Sequence, residues 1–220
     1  MKKKLVIFGT GPFAQVAYWY FTEDSNYSVA AFTVNKDYIK DIELNGLPVV
    51  PYEFLEENFP SNKYEIFIAI GFGNLNKIRE KIYNEAKSKG YKFASYVYSK
   101  IKIWTNNEIG DNTFIFEDNT IQPYAKIGHN VTLWSGNHIG HHSKIEDLCF
   151  ITSHVVVSGF VKVGERSFVG VNATFRDSVK IGVGNIIGAG SLIMKDTGDY
   201  EIYTVPRTKQ IEKDSRDITI

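Results

Sequence analysis

Two adjacent histidines, His141 and His142, precede Gly159, which lies 18 residues after the first of them. The usual pKa of a histidine is about 6.5, so its side chain suits the removal of a proton from an amine or a hydroxyl near neutral pH. A backbone amide such as that of Gly159 stabilises the charge that develops on oxygen during acyl transfer. If the fold brings these residues together, a histidine base beside such an amide fits acyl transfer.

A six-residue repeat provides that proximity. An apolar residue returns every six positions from Ile109 to Ile193, fifteen times without an insertion, and the position four further on is small or short. We interpret each hexad as a short strand plus a corner and three hexads as one coil of a prism, so that residues 18 apart stack. His141 and Gly159 then occupy one corner in adjacent coils. An ordinary sheet, with alternation of period 2 and turns of varying length, does not explain fifteen positions in one register.

Glycine often follows the apolar residue, which we interpret as a corner that needs unusual backbone angles. These glycines are Gly110, Gly128, Gly140, Gly164, Gly170, Gly182 and Gly188.

Residues 1–98 have a different pattern, in which strands alternate with helices. This alternation predicts a small α/β unit, half of a Rossmann fold, with a parallel sheet that binds ligands at the carboxyl ends of its strands. Residues 99–198 form the repeat domain, and residues 199–220 are a polar tail that caps the last coil. The pattern predicts strands over 5–8, 27–34, 64–70 and 91–98 and helices over about 12–21, 53–58 and 75–89.

The turn after the first strand reads Gly9-x-Gly11, which is a weak dinucleotide signal on its own. A nicotinamide cofactor would need an acidic residue after the second strand, where the sequence has Asn35 and Lys36. A nucleotide diphosphate at this helix N-terminus fits better, because free amides bind phosphate oxygens. A tight turn without a ligand is the other explanation of these glycines.

Composition excludes several classes of protein. Lys+Arg and Asp+Glu both number 25, so net charge favours neither a nucleic acid nor a membrane as partner. The apolar run before Gly9 is too short for a signal peptide, and no stretch approaches the roughly 20 apolar residues of a membrane span. We expect a soluble, cytoplasmic protein. Cys149 is the only cysteine, and no two of the five histidines are 18 apart, so we expect no disulfide and no metal site within one chain.

Three motifs carry a family resemblance: Asn137-His138-Ile139-Gly140-His141-His142, Ser158-Gly159-Phe160-Val161-Lys162-Val163-Gly164 and Gly188-Ala189-Gly190-Ser191. With them, nearly the whole chain resembles bacterial enzymes of the sialic acid O-acetyltransferase family, and most closely their sugar-nucleotide N-acetyltransferases. The resemblance implies a left-handed parallel β-helix of hexapeptide repeats, acetyl-CoA as co-substrate, a nucleotide-sugar acceptor and a homotrimer whose partner copies cover exposed groups such as Trp134 and Phe168.

The same resemblance implies roles for individual residues. His141 matches the general base, with His142 beside it, and Gly159 matches the glycine whose amide holds the thioester oxygen. Phe150, Val171 and Ala189 fall where the coenzyme is contacted. The residues that match the nucleotide-sugar loops are Gly11, Pro12, Phe13, Asn35 and Gly71.

Some positions depart from the family pattern. His142 stands where the best matches often have glutamate, and Phe150 replaces a histidine that some members place near the coenzyme. The coils next to His141 present Pro123 and Gly159, neither of which can orient its ring. We therefore expect an orienting acid to come from elsewhere, such as an adjoining subunit. The acidic pair after the second strand is missing, so the acceptor nucleotide need not be a uridine nucleotide.

Several functions remain open at this stage. The leading hypothesis is acetyl-CoA-dependent N-acetylation of a nucleotide-linked amino sugar for polysaccharide synthesis, and the alternative is O-acetylation of a sugar such as sialic acid. A non-catalytic trimeric scaffold that binds sugar nucleotides is a third hypothesis. A γ-type carbonic anhydrase shares the β-helix, but the histidine spacing disfavours it. The sequence leaves the nucleotide base, the sugar and the acetylated position undetermined.

Overall fold

The computed structural model describes residues 2–212 and 214–217. Its N-terminal part is a six-stranded sheet in the order β3-β4-β2-β1-β5-β6, parallel except for the β3–β4 hairpin. The elements are β1 (Lys3–Phe8), α1 (Pro12–Glu23), β2 (Tyr27–Val34), β3 (Glu43–Leu44), β4 (Leu47–Pro51), α2 (Leu55–Asn58), β5 (Glu65–Ile68), α3 (Lys77–Ser88) and β6 (Lys92–Phe93), with short 3-10 turns over Lys36–Tyr38 and Tyr52–Phe54.

The helices of this part cover the sheet with residues at helical spacing. Helix α1 buries Ala14, Ala17 and Phe21, which lie on one face because three and seven positions are about one and two turns. The central strand β1 is buried from Leu5 to Phe8, as a strand covered on both sides must be. The predicted half-Rossmann arrangement is therefore confirmed. The β3–β4 hairpin was not predicted from the sequence.

The second part is a left-handed parallel β-helix made of two-residue strands; the repeat predicted the coils, and the family resemblance predicted their handedness. Successive strands of one face are 18 residues apart, for example His138 paired with Val156. The exception is Ile186, which pairs with Ile202 only 16 residues later. The strands are β7 (Tyr96–Val97), β8 (Glu108–Ile109), β9 (Phe114–Ile115), β10 (Thr120–Ile121), β11 (Lys126–Ile127), β12 (Thr132–Leu133), β13 (His138–Ile139), β14 (Lys144–Ile145), β15 (Phe150–Ile151), β16 (Val156–Val157), β17 (Lys162–Val163), β18 (Phe168–Val169), β19 (Thr174–Phe175), β20 (Lys180–Ile181), β21 (Ile186–Ile187), β22 (Leu192–Ile193) and β23 (Ile202–Tyr203).

The β-helix has three faces, which differ in the side chains that point outward. The docked face (β7, β9, β12, β15, β18, β21 and β23) packs against the N-terminal part. The apolar face (β10, β13, β16, β19 and β22) exposes Val156 and Leu192. The lysine face (β8, β11, β14, β17 and β20) stacks four lysines above Glu108: Lys126, Lys144, Lys162 and Lys180.

The interior confirms the predicted inward positions. The second residue of almost every repeat strand is buried, and so are the small residues four positions later, such as Ala125, Ser143 and Ala173. A narrow prism has room for one branched side chain and one small one per hexad, and close packing penalises anything larger.

The reason for glycine after the apolar residues differs from the one that we expected. The left-handed backbone falls two residues later, at fourteen successive corners from Asn112 (φ 49°) to Gly190 (φ 71°), and most of those residues are not glycine. There is no space for a side chain at these glycines, since a Cβ on Gly140 would come within 2.6 Å of the Gly159 nitrogen. These glycines allow successive coils to approach each other.

The two parts share an aromatic interface. Phe13, Phe116 and Trp134 pack together, with the Phe116 and Trp134 rings stacked 4.4 Å apart, and Phe72 covers Phe168 at 4.4 Å. Trp134 and Phe168 were expected to face a partner copy. That expectation is wrong, because their own N-terminal part covers them.

The chain crosses between the two parts within the strand predicted over 91–98. Lys92–Phe93 ends the first sheet, whereas Tyr96–Val97 pairs with Phe114–Ile115 of the β-helix. The domain boundary at residue 98 stays a prediction. Part of the tail adds Ile202–Tyr203 to the docked face, and the predicted tail residues 213 and 218–220 lie outside the described residues. No helix within the described ranges has the length and apolar character needed to cross a membrane.

Candidate functional site

The corner between the apolar face and the lysine face carries the histidine pair, and we call it the histidine corner (residues 122–124, 140–142, 158–160 and 176–178). Here His141 and Gly159 lie in adjacent coils. A Cβ built on Gly159 would come within 2.8 Å of His141 Cε1 and 2.9 Å of Nε2. The imidazole therefore lies against a position that only glycine leaves open.

The Gly159 amide has no partner within the described part of the chain, where its nitrogen donates no hydrogen bond. Amides at equivalent corner positions do have acceptors: the His141 N–H donates to Gln122 Oε1 at 2.9 Å, and the His129 N–H donates to Asp147 Oδ1 at 2.8 Å. Gly159 itself is buried. A free amide next to an imidazole can hold an oxyanion, which is the chemistry expected of this glycine.

His142 is held by aromatic rings above and below it. Its ring stacks on Tyr124 at 4.6 Å and on Phe160 at 4.9 Å, because these three residues are 18 apart. Its Nδ1 lies 3.2 Å from His141 Nδ1. A hydrogen bond between these two nitrogens requires one of them to donate and the other to accept. The stacked Tyr124 could have been found from the spacing, whereas the Nδ1–Nδ1 contact could not.

The expected coenzyme contacts do not gather around His141 within one chain. Val171 and Ala189 are exposed on the corner between the docked face and the apolar face, across the apolar face from His141. Phe150 is only 5% exposed, between the ring of Phe72 and the guanidinium of Arg79. Coenzyme contact by these three residues stays a prediction.

A cavity of about 760 Å³ opens at the carboxyl ends of the parallel strands, as expected for an α/β sheet. Gly11 and Asn35 line it, together with residues from the two neighbouring strand ends and α3. A Cβ on Gly11 or Gly71 would meet no atom within 4 Å, so packing does not require glycine at either position. The Gly9 backbone, in contrast, has φ 120° and lies close to the Ala69 carbonyl oxygen, which explains that glycine as a turn residue.

Three acidic residues line this cavity and were not anticipated from the sequence: Asp37, Glu53 and Glu85. Asp37 follows Asn35 closely, and Glu53 comes from the segment after the unpredicted β4. Glu53 accepts hydrogen bonds from Asn35 Nδ2 at 3.2 Å and from the Lys36 N–H at 3.1 Å. Burial raises the pKa of Glu53, but these bonds outweigh it and the pKa is lowered. Glu53 thus fixes the Asn35 carboxamide, leaving its oxygen free to accept.

Pro12 and Phe13 lie apart from this cavity lining. Pro12 is the exposed first residue of α1, while the Phe13 ring packs against Phe114 at 5.8 Å in the aromatic interface. Any effect of Phe13 on an acceptor would therefore be mixed with its effect on domain packing.

Within the described residues, no three His, Cys, Asp or Glu side chains converge as metal ligands would. His129 Nδ1 instead lies 2.8 Å from Asp111 Oδ1 on the third corner of the β-helix, which joins the lysine face to the docked face. Burial raises the pKa of Cys149 to about 12, so this thiol is not a nucleophile at neutral pH.

Comparison with known proteins agrees with this two-part architecture. Residues 4–86 match the PglD N-terminal domain family, and residues 124–159 match the bacterial transferase hexapeptide family (six repeats). No curated protein sequence matches the chain significantly.

Three similar solved structures span nearly the whole chain. A histidine-to-asparagine variant of perosamine N-acetyltransferase from Caulobacter crescentus, in complex with CoA and GDP-perosamine, is 25% identical with a TM-score of 0.79 and covers 90% of this chain and 92% of its own. The acetyltransferase domain of PglB from Neisseria gonorrhoeae FA1090, in complex with acetyl coenzyme A, is 21% identical with a TM-score of 0.68 and coverages of 91% and 94%. WeeI from Acinetobacter baumannii AYE is 20% identical with a TM-score of 0.71 and coverages of 90% and 94%.

Proposed function

We propose that this chain, an acetyltransferase whose two domains belong to the PglD N-terminal and bacterial transferase hexapeptide families, transfers the acetyl group of acetyl-CoA to the amine of a nucleotide-linked amino sugar. The observation that carries the proposal is the contact between the His141 imidazole and the open side of Gly159. The similar perosamine N-acetyltransferase from C. crescentus, whose structure contains CoA and GDP-perosamine, supports an amino-sugar acceptor of this kind.

The reaction is a direct transfer in which His141 and Gly159 have separate roles. The amine lone pair attacks the thioester carbon, and the Gly159 N–H stabilises the negative charge that forms on the thioester oxygen. His141 Nε2, on the Gly159 side of its ring, takes the proton that the amine loses. The carbon–sulfur bond then breaks, and the CoA thiolate leaves and takes the proton from His141, which restores the neutral base.

The contact between the two histidines sets the tautomer that this role needs. For Nε2 to accept a proton, Nδ1 of His141 must carry the hydrogen, and it can donate that hydrogen to His142 Nδ1 at 3.2 Å. His142 must then be neutral, with its own hydrogen on Nε2. Its stacking between Tyr124 and Phe160 holds the ring in the orientation that accepts this bond.

A second copy of the chain would complete the site. His141 and Gly159 lie at one edge of the apolar face, and Val171 and Ala189 lie at the other. In a homotrimer that packs its apolar faces together, the histidine corner of one subunit can meet the other corner of its neighbour. Acetyl-CoA would then bind between subunits, in contact with both corners.

The N-terminal cavity would hold the acceptor nucleotide. The free amides at the start of α1, next to Gly11, suit a diphosphate, and the Asn35 side chain, fixed by Glu53, suits a base or a ribose. Gly71 follows the cavity-lining Ile70 and has open space around it, so it would leave room for the sugar attached to the nucleotide.

The test is release of CoA thiol from acetyl-CoA with uridine, thymidine and guanosine diphosphate amino sugars, each beside the same nucleotide sugar with a hydroxyl in place of the amine. We expect thiol release with at least one amino sugar and a rate at least tenfold lower with its hydroxyl counterpart. Preference for the hydroxyl would replace this proposal with O-acetylation. Nucleotide-sugar binding without thiol release from any acceptor would replace it with the non-catalytic scaffold.

A further inference from the structure

Asp177 occupies the same column of the histidine corner as His141 and Gly159, one coil beyond the glycine and 18 residues after it. Its Oδ1 lies 3.1 Å from the position of a Cβ on Gly159, and His141 Nε2 lies 2.9 Å from that position. The carboxylate and the imidazole come from the coils on either side of Gly159, and both lie close to its open side.

These distances limit the gap between the two groups. His141 Nε2 and Asp177 Oδ1 are no more than 6.0 Å apart, the sum of the two distances. Two atoms this close together can both contact one acceptor group held in front of Gly159. The same place adjoins the unpaired Gly159 amide.

The Asp177 carboxylate is not used by the fold. The equivalent residue on the third corner, Asp147, accepts a hydrogen bond from the amide of His129 in the coil below at 2.8 Å. Asp177 does not take the Gly159 amide in this way, and it has no hydrogen bond or ion pair through its side chain within the described ranges. Arg176 precedes Asp177 in the chain, and Lys195 follows it by 18 residues in the same column. Neither residue forms an ion pair with Asp177 among the residues that the structure describes.

We propose that Asp177 is a specificity-determining residue, whose carboxylate holds the amine of the acceptor between itself and His141 Nε2. This inference rests on the proposed N-acetyltransferase function. An amine is partly protonated near neutral pH and gains positive charge as its lone pair attacks the thioester, so a carboxylate attracts it in both states. A hydroxyl is neutral before attack, and Asp177 therefore favours an amine over a hydroxyl.

The two contacts also decide which group takes the proton that the amine loses. Asp177 accepts a hydrogen bond from one N–H of the amine and keeps its negative charge throughout, while the lost proton goes to His141 Nε2. The carbon–nitrogen bond forms as the carbon–sulfur bond breaks, and the electron pair of that bond leaves with the CoA sulfur.

The experiment compares the Asp177→Asn variant with the wild type, using the most active amino sugar of the panel, its hydroxyl counterpart and acetyl-CoA. The substitution keeps the size of the side chain and removes its charge. We expect kcat/KM for the amine to fall by about tenfold, mainly through acceptor KM, because a hydrogen bond to a charged group is lost. We expect kcat/KM for the hydroxyl acceptor and the KM for acetyl-CoA to change by less than about twofold.

The matched control is Glu57→Gln, which removes an exposed carboxylate on α2, away from both corners of the proposed site, and should leave all three values unchanged. Equal losses on amine and hydroxyl acceptors, or no loss on either, overturn the inference while the proposed function stands. A lower KM for acetyl-CoA in Asp177→Asn also overturns it, because Asp177 would then compete for the Gly159 amide. A wild-type chain that acetylates no amino sugar overturns the proposed function itself, and the inference with it.

Discussion

At the scale of single residues, His141 and His142 are adjacent in the sequence, but their surroundings differ and give them different proposed roles. His141 Nε2 lies beside the open face of Gly159, whereas His142 is stacked between two aromatic rings and reaches His141 through Nδ1. A base must reach the acceptor, so the geometry favours His141 in that role and leaves orientation to His142.

We therefore expect His141→Ala to lower kcat by about 10²- to 10⁴-fold at saturating acceptor, which is the usual contribution of general-base catalysis. Binding of acetyl-CoA, measured by calorimetry, should survive because the other expected contacts remain. His142→Ala should lower kcat less. Near-normal kcat in His141→Ala together with an inactive His142→Ala would reverse the two roles, and full activity in both would remove the histidine base from the mechanism.

The orienting role of His142 has its own test in a conservative substitution. His142→Gln keeps a side chain that can accept the hydrogen bond from His141 Nδ1, whereas His142→Ala removes the acceptor. We expect His142→Gln to keep a higher kcat than His142→Ala at saturating acceptor. Equal losses of kcat in the two variants would contradict the orienting role.

At the scale of elements, helix α3 connects the N-terminal domain to the β-helix through a buried cation. Arg79 is 1% exposed and donates to Thr132 Oγ1 and to the Leu148 carbonyl oxygen, both at 3.0 Å. Burial lowers its pKa to about 10, so the guanidinium remains charged at neutral pH. Among the described residues, the guanidinium is surrounded by carbonyl oxygens and the face of the Phe150 ring, and no carboxylate pairs with it.

Arg79→Ala should destabilise the protein by about 3 kcal/mol, because it leaves a cavity and buried acceptors without donors. The measurement is chemical denaturation, with hydrogen exchange to show whether α3 opens first. Lys77→Ala, an exposed position on the same helix, is the control and should change stability by less than about 0.5 kcal/mol. Similar losses in both variants would show that the helix, and not the buried cation, is the sensitive feature.

Helix α1 depends on a carboxylate for its contact with the β-helix. Tyr20 Oη donates to Glu117 Oε2 at 2.6 Å, and Ser135 Oγ donates to Oε1 at 2.7 Å. Burial raises the pKa of Glu117, but these two hydrogen bonds outweigh it and the pKa is lowered. A pKa that is lower in the folded than in the unfolded state adds stability above the usual glutamate value of about 4.3, and this stability is lost as the pH falls through the folded value.

Wild-type protein should therefore lose more stability between about pH 5 and pH 3 than Glu117→Gln does, because the amide cannot be protonated in this range. Urea denaturation at several pH values measures the two slopes. Glu57→Gln, on the exposed side of α2, should keep the wild-type slope. A Glu117→Gln slope equal to that of the wild type would contradict the assignment.

At the scale of the whole molecule, the three faces of the β-helix have three different surroundings. The N-terminal part covers the docked face, and solvated lysines cover another. The third exposes Leu192 at 61% and Val156 at 37% between the two corners that carry the expected site residues. A second copy would bury this face and join the two corners.

We expect sedimentation at three times the chain mass of 25.0 kDa. Leu192→Lys should dissociate the assembly and abolish thiol release, because a buried charge without a partner is costly. Lys180→Gln, on the lysine face, should leave both assembly and activity unchanged. A stable monomer with full activity would contradict the assembly and the shared coenzyme site together.

The sequence by itself determined the β-helix, the half-Rossmann domain and the pairing of His141 with Gly159, because a six-residue repeat converts separation along the chain into position in space. It also predicted ligand binding at the strand ends, where the cavity next to Gly11 and Asn35 opens. Only the tertiary structure decided which face each corner adjoins. Stacking by 18 places residues in columns, but it does not indicate that the N-terminal domain covers Trp134, that His142 turns its Nδ1 toward His141, or that Asp177 leaves the Gly159 amide open. Those outcomes depend on how side chains pack between coils and domains, and a linear repeat does not encode that packing in its spacing.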